Sequence, residues 1–227
     1  LARAKKKKKV SRSAGARARS ADKPQLVVAI CGGSASGKSW LSADLTKHLS
    51  GNAVVVCQDW YYRDHSHKSA EECEKLNFDH PDAIEMPLML KQVKQILAGN
   101  SVEAPIYVYN THGRSRDTRT VRPAPVVILE GLFVLHDKRL RDMADLSVFI
   151  DVPADERLLR RIRRDVEQRR VDLEETLRLY ENYVRPMHEE FIQPSGEEAV
   201  WRWRQLEDEK FPEQLLREIR LRLRRSQ

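Results

Sequence analysis

The sequence predicts an α/β fold in three layers, with a parallel central sheet. Three observations carry this. Short, nearly continuous apolar runs rich in Val and Ile occur at 26–31, 53–57, 126–129 and 147–152, which is how strands buried on both faces of a parallel sheet read. Helical patterns separate them: Leu41, Leu45 and Leu49 recur at i, i+4, i+8, and Leu88, Val93, Ile96 and Leu97 mark a second helix. Alternation of strand and helix is the pattern of right-handed crossovers between parallel strands.

Two segments break the rhythm. Residues 106–110 and 118–121 read as strands of a hairpin off the main sheet, around a seven-residue loop with His112 and Gly113 near its tip. A helix over about 155–170 has an apolar stripe (Leu158, Leu159, Ile162, Val166), with Arg157, Arg160, Arg161, Arg163, Arg164, Arg169 and Arg170 covering the rest. A last helix, roughly 212–225, carries Leu215, Leu216, Ile219 and Leu223 on one face.

The 227 residues are 41% hydrophobic, enough for one core and too many for a wholly disordered chain. No apolar run approaches the ~18 to 20 residues that span a bilayer, so no membrane span is expected. Three cysteines (Cys31, Cys57, Cys73) are too few for a disulfide framework and match no zinc spacing; a reducing compartment is the natural expectation. The net charge of +7 is unevenly placed: residues 1–23 hold ten Lys or Arg and one Asp, and the rest is slightly acidic. The basic segment 1–24 is expected to be a disordered tail, solvated or engaging nucleic acid, anionic membrane or an acidic partner. No apolar core follows its charges, as a secretory signal would require. The chain begins with Leu1, as expected of a fragment or processed product. The expected divisions are the tail at 1–24, a main domain at 25–195 and a charged helical extension at 196–227.

The sharpest signal is Gly32-Gly33-Ser34-Ala35-Ser36-Gly37-Lys38-Ser39, which fits G-x-x-x-x-G-K-[ST] between a strand and a helix starting near Trp40. That is a P-loop, and it makes the fold a P-loop NTPase type. Glycines let successive amides point at phosphate oxygens, and the helix N-terminus adds partial positive charge. Lys38 suits the β- and γ-phosphates, and the Ser39 hydroxyl suits Mg²⁺. The run 126–131 ends in Glu130-Gly131, a carboxylate at a strand end that suits the metal. ATP or GTP with Mg²⁺ is therefore expected.

Hydrolysing NTPases orient water, whereas a kinase holds a hydroxyl in line. Three features favour a kinase. Asp59 closes the 53–57 strand, and its carboxylate can accept a proton from an attacking hydroxyl and help order Mg²⁺. The arginine-dense helix can neutralise phosphoryl charge, with 161 and 164 on one face. Tyr61, Tyr62, Phe78-Asp79-His80, Tyr107, Tyr109 and His112 gather flat and polar groups suited to a nucleobase and ribose, although Tyr61 and His80 read better as ordinary core and turn residues.

These residues give the chain a resemblance to the uridine-cytidine kinases, within the uridine kinase and phosphoribulokinase group. It runs over 26–195. Beyond the P-loop it is carried by Gln58-Asp59-Trp60-Tyr61-Tyr62, Asn77-Phe78-Asp79-His80-Pro81-Asp82-Ala83, Pro105-Ile106-Tyr107 with Thr111-His112, and Arg185-Pro186-Met187-His188-Glu189-Glu190-Phe191. The resemblance implies transfer of the γ-phosphoryl group of ATP to the 5′-hydroxyl of uridine or cytidine. It implies that Asp59 is the base, that Ser39 and Glu130 hold the metal, and that Asp79 and Arg161 hold the ribose hydroxyls. Tyr62, Phe78, Tyr107, Tyr109 and His112 would wall the nucleoside, and Arg164 and Arg169 would face the phosphates from a lid. The family is usually cytoplasmic and often homo-oligomeric.

The chain departs from the family at Arg170-Val171 where Gly-Arg is usual, at Leu179 where Gln is common, and at Val108 where an acid is common. Apolar groups there cannot read polar edges. The alternatives are a kinase of the same group acting on another small-molecule hydroxyl, and a non-catalytic nucleotide-dependent binder whose tail engages nucleic acid.

Overall fold

The computed structural model describes residues 23–225. The expected disordered tail, apart from its last two residues, lies outside the described residues.

Five parallel strands form the central sheet in the order β2-β5-β1-β6-β7: β1 (Leu26–Gly32), β2 (Ala53–Cys57), β5 (Val126–Glu130), β6 (Leu146–Asp151) and β7 (Trp201–Arg204). β1 is central and buried along its whole length. Its side chains alternate between two cores, as the period of a strand dictates. Val27, Ala29 and Cys31 face one core with Tyr61, Phe133 and the helix α3 (Met86–Leu97) through Met89, Val93 and Ile96. Val28 and Ile30 face the other, with Leu41, Leu45 and Leu49 of and just after α1 (Lys38–His48) and Leu215 and Ile219 of α9 (Phe211–Arg225). Helices on both faces of one sheet give the three layers. No helix among the described residues is long and apolar enough to cross a membrane.

Between β2 and α3 lies α2 (Ala70–Glu74), started by a capping box in which Ser69 and Glu72 bond each other's backbone amides. The hairpin exists, but its strands are longer and its loop shorter than expected. β3 (Val102–Val108) pairs antiparallel with β4 (Gly113–Val121), and only residues 109–112 connect them. The polar character of 113–117 hides a strand from a reading based on apolar runs; β4 is buried at Gly113 and exposed only over 116–120. His112 ends the turn in the left-handed region at φ 48°.

After β5, α4 (Lys138–Arg141) leads to β6. The arginine-dense helix is α5 (Ala154–Arg163), continued to Gln168 by a wider turn whose amides reach back five residues. Its orientation reverses the usual rule. The buried side chains are Arg157, Arg161 and Asp165, at i, i+4, i+8, while Leu159 of the apolar stripe is 51% exposed. The polar face points into the molecule because a cavity, not a core, lies beneath it. From α6 (Leu173–Leu179) to Ser195 the chain stays helical, alternating wide turns with the short α7 (Arg185–Met187) and α8 (Gln193–Ser195).

Residues 196–227, expected as a charged helical extension, also supply a strand: β7 pairs in parallel with β6 from Trp201 opposite Val148 to Arg204 opposite Asp151. The inward Trp203 stacks on Phe211 with centroids 5.2 Å apart, and its indole N–H donates to the Asp208 carbonyl. This pair joins β7 to α9. Trp203→Ala is expected to cost about 3 to 5 kcal/mol, read as a lowered midpoint in urea unfolding followed by far-UV circular dichroism.

Candidate active site

Parallel pairing sets the site. Cys57 lies opposite Glu130, and Ile30 opposite Glu130 on the other side. Asp59, Glu130 and the loop from Gly32 to Gly37 therefore leave the sheet at one edge, beyond the strand carboxyl ends, where open α/β sheets bind ligands.

Gly37 caps α1 at φ 93°, a conformation that favours glycine, and no side chain caps the helix. The first turn has no acidic residue. Its amides are thus left for an anion. Lys38 Nζ folds back over the loop and donates to the carbonyls of Gly32 (3.0 Å) and Gly33 (2.9 Å). Burial lowers its pKa below the usual lysine value, while Asp59, Cys31 and Glu130 act in the opposite direction. The buried Ser36 hydroxyl has no hydrogen-bond partner among the described residues. An orphaned donor in such a loop fits a phosphate-bearing ligand.

Glu130 is 5% exposed and accepts from Ser39 Oγ (3.2 Å) and Ser42 Oγ (2.7 Å). A hydroxyl and a carboxylate are hard oxygen donors suited to Mg²⁺, which is usually completed by water and phosphate oxygens. Accordingly, no group of three or more His, Cys, Asp or Glu among the described residues forms a metal cage by itself. Gly131 is needed because a Cβ there would overlap the Gln58 side chain. Gln58, nearly fully buried, uses its Oε1 to accept the Phe133 amide at 2.9 Å and so fixes the turn after Glu130.

Opposite the loop lies a cavity of about 570 Å³, a size suited to a small-molecule ligand. Most expected site residues line it: Ser34, Ala35, Gly37, Lys38, Ser39, Asp59, Glu130, Tyr62, Phe78, Asp79, Tyr107, Tyr109, His112, Arg161, Arg164 and Arg169. Gly32, Gly33 and Ser36 lie behind this lining, all three buried. The aromatic groups form a connected wall. Phe78 stacks on His112 (centroids 4.7 Å, 17°), Tyr62 lies 5.0 Å from Tyr107, and Tyr107 meets Tyr109 edge-on at 5.2 Å. Burial lowers the His112 pKa, favouring neutral imidazole, and raises that of Tyr107 to about 12. Burial also raises the Asp79 carboxyl above its usual value, with Arg161 and Arg164 acting against it. Tyr109 Oη donates to Asp59 Oδ2 at 2.9 Å, and burial followed by the Asp59 charge raises the phenol pKa.

Asp165, which the sequence offers only as an ion-pair partner on a solvated helix, is buried at the centre of the arginines. Its carboxylate, 5% exposed, meets Arg161 Nε (3.2 Å), Arg164 Nε (2.8 Å) and Arg169 Nη1 (3.5 Å). The signal was its spacing of four residues from both Arg161 and Arg169. Arg161 also reaches the loop, donating to Ser34 Oγ at 3.1 Å. Of the three departures, Val171 and Leu179 line the cavity, beside Leu76 and Leu132, and Val108 is exposed on the hairpin. Tyr61 is core, its hydroxyl donating to Gln92 Oε1, and His80 accepts the Asp82 amide in a turn.

Fold and site together define a P-loop phosphotransferase. The chain belongs to the phosphoribulokinase/uridine kinase family, whose model matches residues 27–209. It is 43% identical over 171 residues to a uridine kinase of Bacillus mycoides, covering 75% of this chain and 81% of the relative. It is 41% identical over 174 residues to a uridine kinase of Staphylococcus haemolyticus, covering 76% and 84%. Among solved structures, a putative fructose transport system kinase from Silicibacter sp. TM1040 superposes with a TM-score of 0.64 at 21% identity, covering 79% of this chain and 89% of that one. This likeness is one of fold. The enzyme is a phosphotransferase acting on a hydroxyl acceptor.

Behind the loop, a Cβ on Gly33 would meet the Arg157 guanidinium and the His188 ring. Burial, with the charge of Arg157, pushes His188 down to about 4 from 6.5. Between these values the unfolded chain holds a proton that the folded chain does not, so this contribution is complete above pH 6.5 and is lost as pH falls towards 4. The loss is expected to be about 3 kcal/mol. Urea unfolding from pH 7 to 4 should show a shallower decline in His188→Gln than in the unsubstituted protein.

Proposed function

We propose that the protein transfers the γ-phosphoryl group of ATP to the 5′-hydroxyl of uridine or cytidine. The observation that carries this reading is that Asp59 and Lys38 line one cavity with the aromatic wall of Tyr62, Phe78, Tyr107, Tyr109 and His112. The uridine kinase relatives support it.

In this reading the loop amides and Lys38 hold the nucleotide phosphates. Bound Mg²⁺ would neutralise phosphate charge, held by Ser39 and Glu130 with Asp59 beside them. The ring of the acceptor lies against Phe78 and Tyr62, with His112 at its polar edge. Asp79 and Arg161 take the ribose hydroxyls. Asp59 accepts the proton of the 5′-hydroxyl as its oxygen attacks the γ-phosphorus. Arg164 and Arg169, aligned on Asp165, face the charge that develops on the transferring group. Lid residues that shield the cavity favour the alcohol over water.

A second reading keeps the chemistry and changes the acceptor to another small-molecule hydroxyl. Val171 and Leu179 favour it, because that part of the wall offers no hydrogen bond to a polar edge. The two are separated by incubating the protein with ATP·Mg²⁺ and a panel of nucleosides and sugar alcohols, read by product mass. Phosphorylated uridine or cytidine supports the first; no ADP formed with either nucleoside defeats it. Asp59→Asn is expected to leave ATP affinity near normal and to lower turnover by about 10² to 10⁴-fold. Unchanged turnover removes Asp59 as the base.

A further inference from the structure

Tyr109 is more than a piece of the cavity wall. It opens the turn Tyr109–Thr111 between β3 and β4, and its hydroxyl donates to Asp59 Oδ2 at 2.9 Å. Its ring is held on three sides. Tyr107 meets it edge-on at 5.2 Å, Tyr62 lies 6.5 Å away, and the Arg169 guanidinium sits 4.5 Å above the ring centroid. The hairpin carries, and the lid touches, the one phenol that bonds Asp59, and Tyr109 keeps 40% of its surface in solvent, free to swing away.

We propose that Tyr109 is a positioning residue that discriminates against water: its hydroxyl occupies the place of the acceptor hydroxyl on Asp59 until an alcohol displaces it. This rests on the reading of Asp59 as the general base. Water is a competing acceptor in any such site. Its oxygen would attack the γ-phosphorus, its proton would pass to Asp59, and the bond from the γ-phosphorus to the bridging oxygen would break, giving ADP and inorganic phosphate. The phenolic hydrogen already takes an acceptor position on the carboxylate, and the phenol oxygen fills the place of the attacking oxygen. An organic acceptor has ring contacts with the aromatic wall whose binding free energy can drive displacement of the phenol. Water has none. Arg169 makes the arrangement responsive to the lid, because one side chain touches both the Tyr109 ring and the Asp165 carboxylate, at 4.5 Å and 3.5 Å.

Tyr109→Phe tests this, since it keeps the ring under Arg169 and removes only the hydroxyl. With ATP·Mg²⁺ and no acceptor, ADP formation by Y109F is expected to exceed that of the unsubstituted protein by about tenfold or more. Adding Asp59→Asn to Y109F is expected to return it to the starting rate. A Tyr109→Leu variant, which clears the position without a phenol, is expected to show the same rise. Acceptor-independent ADP formation that is unchanged in both Tyr109 variants overturns the proposal, as does a rise that survives Asp59→Asn. A purely structural role for the phenol would lower phosphorylation and ADP formation together, and that result also overturns it. The assay needs no nucleoside, so failure of uridine or cytidine as acceptors bears on the acceptor assignment alone.

Discussion

The site depends on the register of three parallel strands. Cys57, Glu130 and Ile30 stand in one row across β2, β5 and β1. Asp59, Glu130 and the phosphate loop all leave the sheet within two residues of that row: Asp59 after β2, Glu130 at the end of β5 and Gly32 at the end of β1. A slip of one residue would turn each strand's side chains to the opposite face. Glu130 would then lose Ser39 and Ser42. The two apolar cores hold the register, because Val27, Ala29 and Cys31 belong on one side of β1 and Val28 and Ile30 on the other.

The sheet and the phosphate loop were legible because their signals are local. A run of β-branched residues ending in a glycine-rich loop and Lys38-Ser39 determines strand, turn and helix within fifteen residues. The hairpin was half legible: its inner strand is the more apolar, and its outer strand is polar and exposed over 116–120, so periodicity saw only its end. The role of Asp165 was hidden for a different reason. Its spacing from Arg161 and Arg169 is visible in the sequence, but spacing alone describes a surface ion pair as well as a buried one. Only burial distinguishes them, and Asp165 is buried among its three arginines in a cavity wall shared with Val171, Leu179 and Tyr183.

The aromatic wall shows the same division. Phe78 and His112 were separately readable as flat side chains. Their stacking accompanies a left-handed backbone at His112, a conformation that apolar periodicity does not reveal. The contact between Tyr109 and Asp59 joins residues fifty positions apart and depends on β3 packing against the turn 58–61 that follows β2.

The inverted lid has a mechanical consequence. Helix α5 and its wide turn turn guanidinium groups and Asp165 inward and leave Leu159 in solvent. Such a flap is fastened by counterions instead of interlocked hydrocarbon. Three guanidinium groups share the single Asp165 carboxylate, and neither packed core contributes a side chain to that cluster.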